Sequence, residues 1–188
     1  MRISRFITLE RLRILVAEFI ESLFNYCPLI WMFHSKTLNN KINKLHERAL
    51  RLVYKDKSLT FKQLLTKDKS FSIHERNLQK LAIEMYKVKN NLCPKPFQGL
   101  FTLRERGAGD FVLPRIQTVR MGEETVRYRG PLTWEMVPED IKNSVSLPIF
   151  KNKICKWKPL DCTCRLCLVH VQGVGYGYFR DDVFIHKK

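Results

Sequence analysis

Acidic residues are scarce in this chain of 188 residues, which has 18 Asp and Glu against 34 Lys and Arg. The formal net charge is therefore +16, and a polyanion is the default partner of so basic a protein. Long apolar runs are missing too, since no stretch approaches the roughly 18 to 20 residues of a membrane-spanning helix. Hydrophobic residues make up 45% of the chain, which excludes disorder over most of it. The length allows one domain, or one domain with a small appendage.

A secretory leader is not evident either. Glu10, Glu18 and Glu21 interrupt the apolar N-terminal stretch, and no small-residue cleavage site follows. The six cysteines lack the spread of a secreted disulfide framework, because three of them crowd into residues 162–167. We therefore expect a protein of the nucleus or cytoplasm that is not secreted and has no membrane partner. Clustered thiols in a reducing compartment suggest a metal ion before a disulfide.

Catalytic motifs are also absent from the sequence. It contains no Gly-rich phosphate loop, no nucleophile elbow and no His-Glu-x-x-His pair. Residues 179–182 (Phe-Arg-Asp-Asp) fit the aromatic-x-Asp-Asp pattern of polymerases, but two-metal chemistry needs a rigid sheet and a further acid upstream. No sheet-like pattern precedes this segment, so we interpret the match as a coincidence. The sequence predicts no catalytic residue and no magnesium site.

Apolar spacings of three and four residues predict a mainly helical fold, with long helices over residues 8–25, 37–54 and 72–90. The expected core-facing stripe of the first helix is Leu9, Leu12, Val16, Phe19 and Leu23. That of the second helix, for which Thr37 is the candidate cap, is Leu38, Ile42, Leu45, Ala49 and Leu52. Two capping boxes, Thr60 with Gln63 and Ser72 with Glu75, predict where a short helix and the third long helix begin.

Residues 97–135 change character, because glycines punctuate short runs of β-branched residues. Residues 117–120 and 125–129, joined by Met121 and Gly122, predict a small β-hairpin. Short helices are expected near residues 137–141 and from Ser146 to about Lys156. We therefore divide the chain into a helical region (1–96), a hairpin with short helices (97–157) and a cysteine-rich tail (158–188).

A row of cations follows the second predicted helix beside its apolar stripe. Its members, again spaced by three and four, are Lys41, Lys44, Arg48, Arg51 and Lys55. Such a row can track the phosphates of a nucleic acid, each contact releasing condensed counterions. The alternative is a solvated face whose long side chains shield the edge of the core. No aromatic residue lies in the row, so base stacking is not indicated there.

The tail contains the pattern Cys162-x-Cys164-x2-Cys167-x2-His170, which offers three sulfurs and one imidazole within nine residues. Structural zinc sites use four such ligands in a tetrahedron, so a structural zinc ion is the expected cofactor. The Cys-x-Cys gap is tighter than usual, and a tail with idle thiols is the alternative. Two other residues could replace His170 as fourth ligand: Cys155 and His186. Three histidines fall in no metal or catalytic spacing: His34, His46 and His74.

Several blocks carry a resemblance to a known family. They include residues 44–54 (Lys-Leu-His-Glu-Arg-Ala-Leu-Arg-Leu-Val-Tyr), residues 130–134 (Gly-Pro-Leu-Thr-Trp) and residues 156–167, which end in the cysteine pattern. Residues 24–35, 72–90 and 137–143 belong to the same set. Together the blocks resemble the C-terminal end of the reverse transcriptase of non-LTR (LINE-type, jockey-like) retrotransposons, over about residues 5–178.

The resemblance implies a fragment of an RNA-directed DNA polymerase. Residues 5–90 would be a thumb with its helical extension, and the cation row would contact an RNA template, an RNA/DNA hybrid or DNA. The family's terminal cysteine-rich segment matches at Cys162, Cys164 and Cys167. The catalytic aspartates of the family's palm domain should lie upstream of Met1, so we expect this chain to lack the palm and not to polymerise alone. The alternatives are an independent zinc-dependent adaptor for nucleic acid or protein, and a remnant without function.

Overall fold

The computed structural model describes residues 7–105, 110–116, 122, 124–159, 162, 164 and 166. Over these ranges the chain is mainly helical and has no sheet, and one antiparallel bridge joins Leu103 to Phe111. The predicted fold class is confirmed. None of the helices in these ranges combines the length and the apolar character that crossing a bilayer requires.

The first half of the chain forms two long helices and an N-terminal helix that a π-helical turn interrupts. The N-terminal helix consists of Leu9–Val16 (α1), a π-helical turn at Ala17–Glu21 and a last turn at Ser22–Asn25 (α2). After Pro28–Trp31 (α3) come the helices Lys36–Tyr54 (α4), Phe61–Asp68 (α5) and Ile73–Lys89 (α6). Helix α1 packs against α4, while α6 contacts both α3 and α4. The predicted long helices are thus present.

Local capping fixes where three of these helices begin. Both predicted capping boxes form, with Thr60 at the start of α5 and Ser72 at the start of α6. Helix α4 is capped by Ser35 instead of Thr37, because the Ser35 hydroxyl accepts a hydrogen bond from the Leu38 amide at 3.4 Å. The prediction of Thr37 as cap was wrong, and the helix begins at Lys36.

The π-helical turn changes which side of the N-terminal helix is buried. Leu12 and Val16 face the core as predicted, whereas Phe19 and Leu23 are largely exposed. Hydrogen bonds in a π turn link residues five apart, so Glu21 follows Val16 onto the buried side. The predicted core stripe assumed one continuous α-helical register and is wrong for its second half, and Leu9 at its start is also about half exposed.

The buried face of α4 is also rotated from its predicted position. Ile42 and Ala49 are buried as expected, but Leu38 and Leu45 are about half exposed. His46 is fully buried, where its ring meets Glu21 at 3.6 Å and the ring of Phe61 edge-on. A polar residue at the centre of the buried face gives no apolar signal, so the predicted stripe was displaced around the helix.

A buried ionic network fastens the N-terminal helix to α5 and α6. One oxygen of Glu21 accepts a hydrogen bond from Arg76 at 2.7 Å, and the other lies 3.1 Å from Arg13. Arg13 also donates to both carboxylate oxygens of Asp68, at 2.7 and 2.9 Å. Burial alone would raise the pKa of Glu21, but its contacts with His46, Arg76 and Arg13 lower it to about 2. Glu21 is therefore held as a charged group inside the fold.

The second half of the chain forms short helices on the other side of α6. They are Lys95–Gln98 (α7), Val126–Met136 (α8), Glu139–Lys142 (α9) and Leu147–Ile154 (α10). Helices α8 and α10 pack directly against α6, and α9 packs on α10. The short helices expected near residues 137–141 and after Ser146 are present.

The predicted β-hairpin is wrong in its second strand. Residues 126–129 begin helix α8, and the Thr125 hydroxyl caps it by accepting from the Tyr128 amide at 3.3 Å. The preference of β-branched residues for strands is weak, and here the cap and the packing of α8 on α6 outweigh it. Residues 117–121, the other half of the proposed hairpin, lie outside the described residues.

Aromatic rings form the core of the second half. Trp134 stacks on Phe150 with ring centroids 5.9 Å apart, and Phe150 stacks in turn on Tyr86 at 4.3 Å. The indole nitrogen of Trp134 donates to Asp110 at 2.5 Å, which satisfies the polar atom of this buried ring. Helix α6 thus belongs to the core of both halves.

Gly130 lets α8 approach α6 closely. A Cβ atom at this position would lie 2.6 Å from the Met85 sulfur and 3.0 Å from the Phe101 ring. We expect Gly130→Ala to lower the free energy of unfolding by about 1–3 kcal/mol, because Met85 is fully buried and the core must repack. Urea denaturation measures the change. The matched control is Gly99→Ala, whose Cβ would meet nothing nearer than 3.5 Å; equal stability of the two variants would contradict the close approach.

Candidate metal centre and cation face

The first turn of α6 places an imidazole on a rigid backbone. His74 is the second residue of this helix, between the two members of its capping box. The Glu75 carboxylate accepts from the Ser72 amide at 2.7 Å, and the Ser72 hydroxyl accepts from the Glu75 amide at 3.3 Å. These reciprocal bonds satisfy orphan amides and fix the turn from which the His74 side chain leaves.

The segment after α10 returns along α6 toward that first turn. Gln79 donates a hydrogen bond to the carbonyl oxygen of Trp157 at 2.7 Å. Five residues further along the chain, Cys162 lies beside His74, which is five residues before Gln79. Cys162 also packs against the apolar cluster that contains Leu78. Trp157 and Cys162 thus lie beside successively earlier residues of α6, and Cys162 and Cys164 lie at the N-terminal end of the helix.

His74, Cys162 and Cys164 form what we call the thiol–imidazole cluster. The Nε2 atom of His74 lies 3.7 Å from the Cys162 sulfur and 3.2 Å from the Cys164 sulfur, and the three atoms are within 4.8 Å of one another. Zinc bonds of about 2.3 Å to sulfur and about 2.0–2.1 Å to nitrogen, at a tetrahedral angle, place the two ligand atoms about 3.6 Å apart. The two observed distances bracket this value. The cluster can hold a metal ion.

The cluster is largely shielded from solvent. Cys164 is buried, while Cys162 and His74 are partly buried. Burial alone would lower the pKa of His74, but the sulfurs of Cys162 and Cys164 beside its ring raise it to about 9.

Arg129 lies next to the cluster and brings a positive charge to it. It lines a small cavity together with His74 and Cys164, and it is 92% buried, with 8% of its surface exposed. One of its nitrogens lies 3.8 Å from the Glu124 carboxylate, the nearest acidic group among its described contacts. A guanidinium at this position offsets part of the negative charge that cysteine thiolates bring to a metal ion.

The structure brings together two of the four metal ligands predicted from the sequence, Cys162 and Cys164. The other two, Cys167 and His170, lie outside the described residues, as does the alternative ligand His186. The remaining alternative, Cys155, is exposed at the end of α10 and is not a member of the cluster.

Sequence reasoning missed His74 as a ligand. It lies 88 residues before Cys162, and no local spacing connects the two. The sequence carried only an indirect signal for this residue. The capping box predicted that His74 lies in the first turn of a helix, but it did not indicate what that turn faces. Only the packing of the C-terminal segment on α6 reveals that this turn faces the cysteines.

Three of the five predicted nucleic-acid-binding residues face solvent on α4. Lys41, Lys44 and Arg48 are exposed, and within the described part of the chain none of them pairs with an acidic side chain. We call these three the α4 cation face. Seven residues separate Lys41 from Arg48, which corresponds to about 10 Å along the helix axis. Leu38 and Leu45 are half exposed beside them.

The other two predicted residues belong to the end of α4. Arg51 donates to the Glu47 carboxylate at 2.7 Å and to the carbonyl oxygens of Lys57 at 2.6 Å and Leu59 at 2.7 Å. Lys55 is exposed at the left-handed C-cap, with a φ of 53°. Arg51 therefore fixes the loop between α4 and α5, and its guanidinium is directed at the protein's own backbone.

No family model, curated protein or solved structure matches this chain.

Proposed function

We propose that this chain is a nucleic-acid-binding module held together by a structural zinc ion, equivalent to the thumb and cysteine-rich end of a non-LTR retrotransposon reverse transcriptase. The observation that carries the proposal is the α4 cation face, three exposed cations on one side of a helix of 19 residues. Residues 36–90, which contain it, hold 14 Lys and Arg against 5 Asp and Glu, a net charge of +9. Phosphates are the ligands that such a surface attracts.

The family resemblance supplies the substrate class for this proposal. An RNA template, an RNA/DNA hybrid or DNA would lie along α4, while the palm domain of the family would supply polymerase chemistry. We propose that the chain does not polymerise by itself. We place the chain in a reducing compartment, the nucleus or cytoplasm, where clustered thiols stay reduced and can bind a metal ion.

In this proposal the zinc ion has a structural role. His74, Cys162 and Cys164 supply three ligands, and the sequence offers Cys167 or His170 for the fourth that tetrahedral zinc requires. The ion would fasten the C-terminal segment to the start of α6.

Replacing the three residues of the α4 cation face by glutamine should weaken binding to an RNA/DNA hybrid at least ~tenfold near physiological salt, because about three phosphate contacts are lost. The slope of log affinity against log salt should fall by about 2 to 3. Fluorescence anisotropy over a salt series measures both quantities.

The matched control for this experiment removes the same charge elsewhere. Lys151, Lys156 and Lys158 are exposed cations on and after α10, and their replacement by glutamine should change the affinity much less. If both triple variants lose affinity equally, binding reflects net charge alone and the α4 cation face is not the interface.

A second candidate function is a zinc-held protein adaptor. The observation that favours it is the exposure of Leu38 and Leu45 beside the α4 cations, since a purely phosphate-binding face has no need of leucines. If the chain is such a protein adaptor, two variants would leave hybrid binding and its salt slope unchanged. They are Leu38→Ser with Leu45→Ser, and the variant in which glutamine replaces the three residues of the α4 cation face. A chain that binds neither zinc nor nucleic acid would correspond to a remnant.

A further inference from the structure

Arg129 is a buried cation whose hydrogen bonds are incomplete. It belongs to α8, which packs on α6, and only 8% of its surface is exposed. Its Nε atom is buried and has no hydrogen-bond partner among the described residues. A buried donor in this state destabilises the fold, and the effect is larger when the group is charged. A negative acceptor on this side of the guanidinium would remove the cost.

Glu124 does not supply this acceptor. Its carboxylate oxygen lies 3.8 Å from a different nitrogen of Arg129, beyond the range of about 2.7–3.2 Å for hydrogen bonds. The Glu124 side chain is also 21% exposed, so water solvates part of its charge. The guanidinium therefore keeps much of its positive charge uncompensated in a buried corner of the fold.

The thiol–imidazole cluster is a second source of negative charge beside Arg129. His74 and Cys164 line the same small cavity as this guanidinium. With a volume of about 20 Å³, the cavity has room for one water molecule and for no larger ligand. Cysteine binds zinc as a thiolate, which is a negative acceptor. The charge that compensates Arg129 can therefore come from the metal centre itself.

The charge of that centre depends on its fourth ligand. Zn²⁺ with the thiolates of Cys162 and Cys164 and two imidazoles is formally neutral. With a third thiolate in place of the second imidazole, the centre has one excess negative charge. A neutral centre has no net attraction for a buried guanidinium, whereas an anionic one is stabilised by it. The buried charge of Arg129 thus favours a third cysteine over a second histidine.

We propose that Cys167 is the fourth ligand and that Arg129 compensates the charge of the resulting centre of three cysteines and one histidine. The inference rests on the zinc site proposed above. Leu166, the residue directly before Cys167, lines the same cavity as Arg129. From this residue the chain travels one position to supply Cys167 and four to supply His170.

X-ray absorption at the zinc edge, on the full chain, counts the ligands. We expect three sulfur atoms at about 2.3 Å and one nitrogen at about 2.0–2.1 Å. Cys167→Ser should remove one sulfur, while His170→Ala should leave the shell unchanged. Two sulfurs and two nitrogens in the original chain would overturn the choice of Cys167 and leave the zinc site itself in place. A chain that binds no zinc would overturn both.

Competition for zinc with a chromogenic chelator measures the part played by Arg129. Arg129→Gln should weaken zinc binding about 10–100-fold, as the loss of a group that supports metal ligands typically does. Arg129→Lys keeps the charge and should retain most of the affinity. The matched control is Arg127→Gln, which removes an exposed cation two residues earlier on the same helix and should bind zinc like the original chain.

A double-mutant cycle separates charge compensation from a purely structural role of Arg129. In the Cys167→His background the centre is neutral, so adding Arg129→Gln should change the zinc affinity by about twofold at most. An equal loss in both backgrounds, or an Arg129→Gln variant that binds zinc as tightly as the original chain, would overturn the compensation. If Arg129→Gln does not fold by circular dichroism, the sulfur count of the original chain still decides, since it needs no variant of Arg129.

Discussion

Zinc is expected to raise the melting temperature of this chain by about 5–10 °C, and His74→Ala is expected to abolish the rise. A ligand at a hundred times its dissociation constant stabilises the state that binds it by about 2.7 kcal/mol. Each kcal/mol shifts the melting temperature of a chain this long by about 2–4 °C. In the unfolded chain 88 residues separate His74 from Cys162, so the ligand set is assembled only by folding.

Thermal melts with zinc and with a chelator, in the presence of a reductant, measure this effect. Cys164→Ser should behave like His74→Ala, since Cys164 is the buried member of the cluster and its sulfur is the nearer one to the imidazole. Cys155→Ser is the control, because Cys155 is a free cysteine outside the cluster and its loss should leave the zinc response intact. An equal zinc response in the original chain and in His74→Ala would remove the imidazole from the ligand set.

Glu21→Gln is expected to lower the free energy of unfolding by about 3 kcal/mol at neutral pH. Removing one member of a buried ion pair typically costs about 3–5 kcal/mol, because the partner charges lose their compensation. Here the side chain of Arg76 is 18% exposed and keeps some contact with water, which places the cost at the low end. Glu18→Gln makes the same chemical change three residues earlier on the exposed side, and it should stay within about 0.5 kcal/mol.

Glu21 also gives the stability of the fold a defined pH dependence. Its pKa is about 2 in the folded chain, against an ordinary value of 4.5. Because the folded value is the lower one, the stabilisation is complete above about pH 4.5 and is lost as the pH falls toward 2. The difference between the original chain and Glu21→Gln should shrink over that interval in urea denaturation. A difference that stays constant from pH 5 to pH 2 would show that the Glu21 charge is not what stabilises the fold.

Helix starts were predictable where a complete local rule exists. Both capping boxes, at Thr60 and at Ser72, are self-contained within four residues, and both form. The side of a helix that becomes buried was less predictable, because it depends on partners distant in sequence. His46 is buried because Glu21 and the ring of Phe61 lie against it. Neither contact can be recognised from the spacing of apolar residues in the sequence of α4.

Only part of the candidate site could be predicted from the sequence, because its other part comes from an element distant in sequence. The crowding of Cys162 and Cys164 is a local signal, and both sulfurs belong to the group that could hold a metal ion. The imidazole of His74 comes from another element, and only the path of the C-terminal segment along α6 brings it there. For Arg51 the local signal was misleading. Its spacing fits a row of phosphate-binding cations, but its guanidinium donates hydrogen bonds to the loop after α4.

In the proposed function, one metal ion joins α6 to the C-terminal segment through His74. X-ray absorption at the zinc edge, on the original chain and on His74→Ala, tests it most directly. We predict one zinc ion per chain, with imidazole nitrogen at about 2.0–2.1 Å and sulfur at about 2.3 Å, and one imidazole nitrogen fewer in the variant. A shell of sulfur alone, or an imidazole signal that is unchanged in His74→Ala, would contradict the claim.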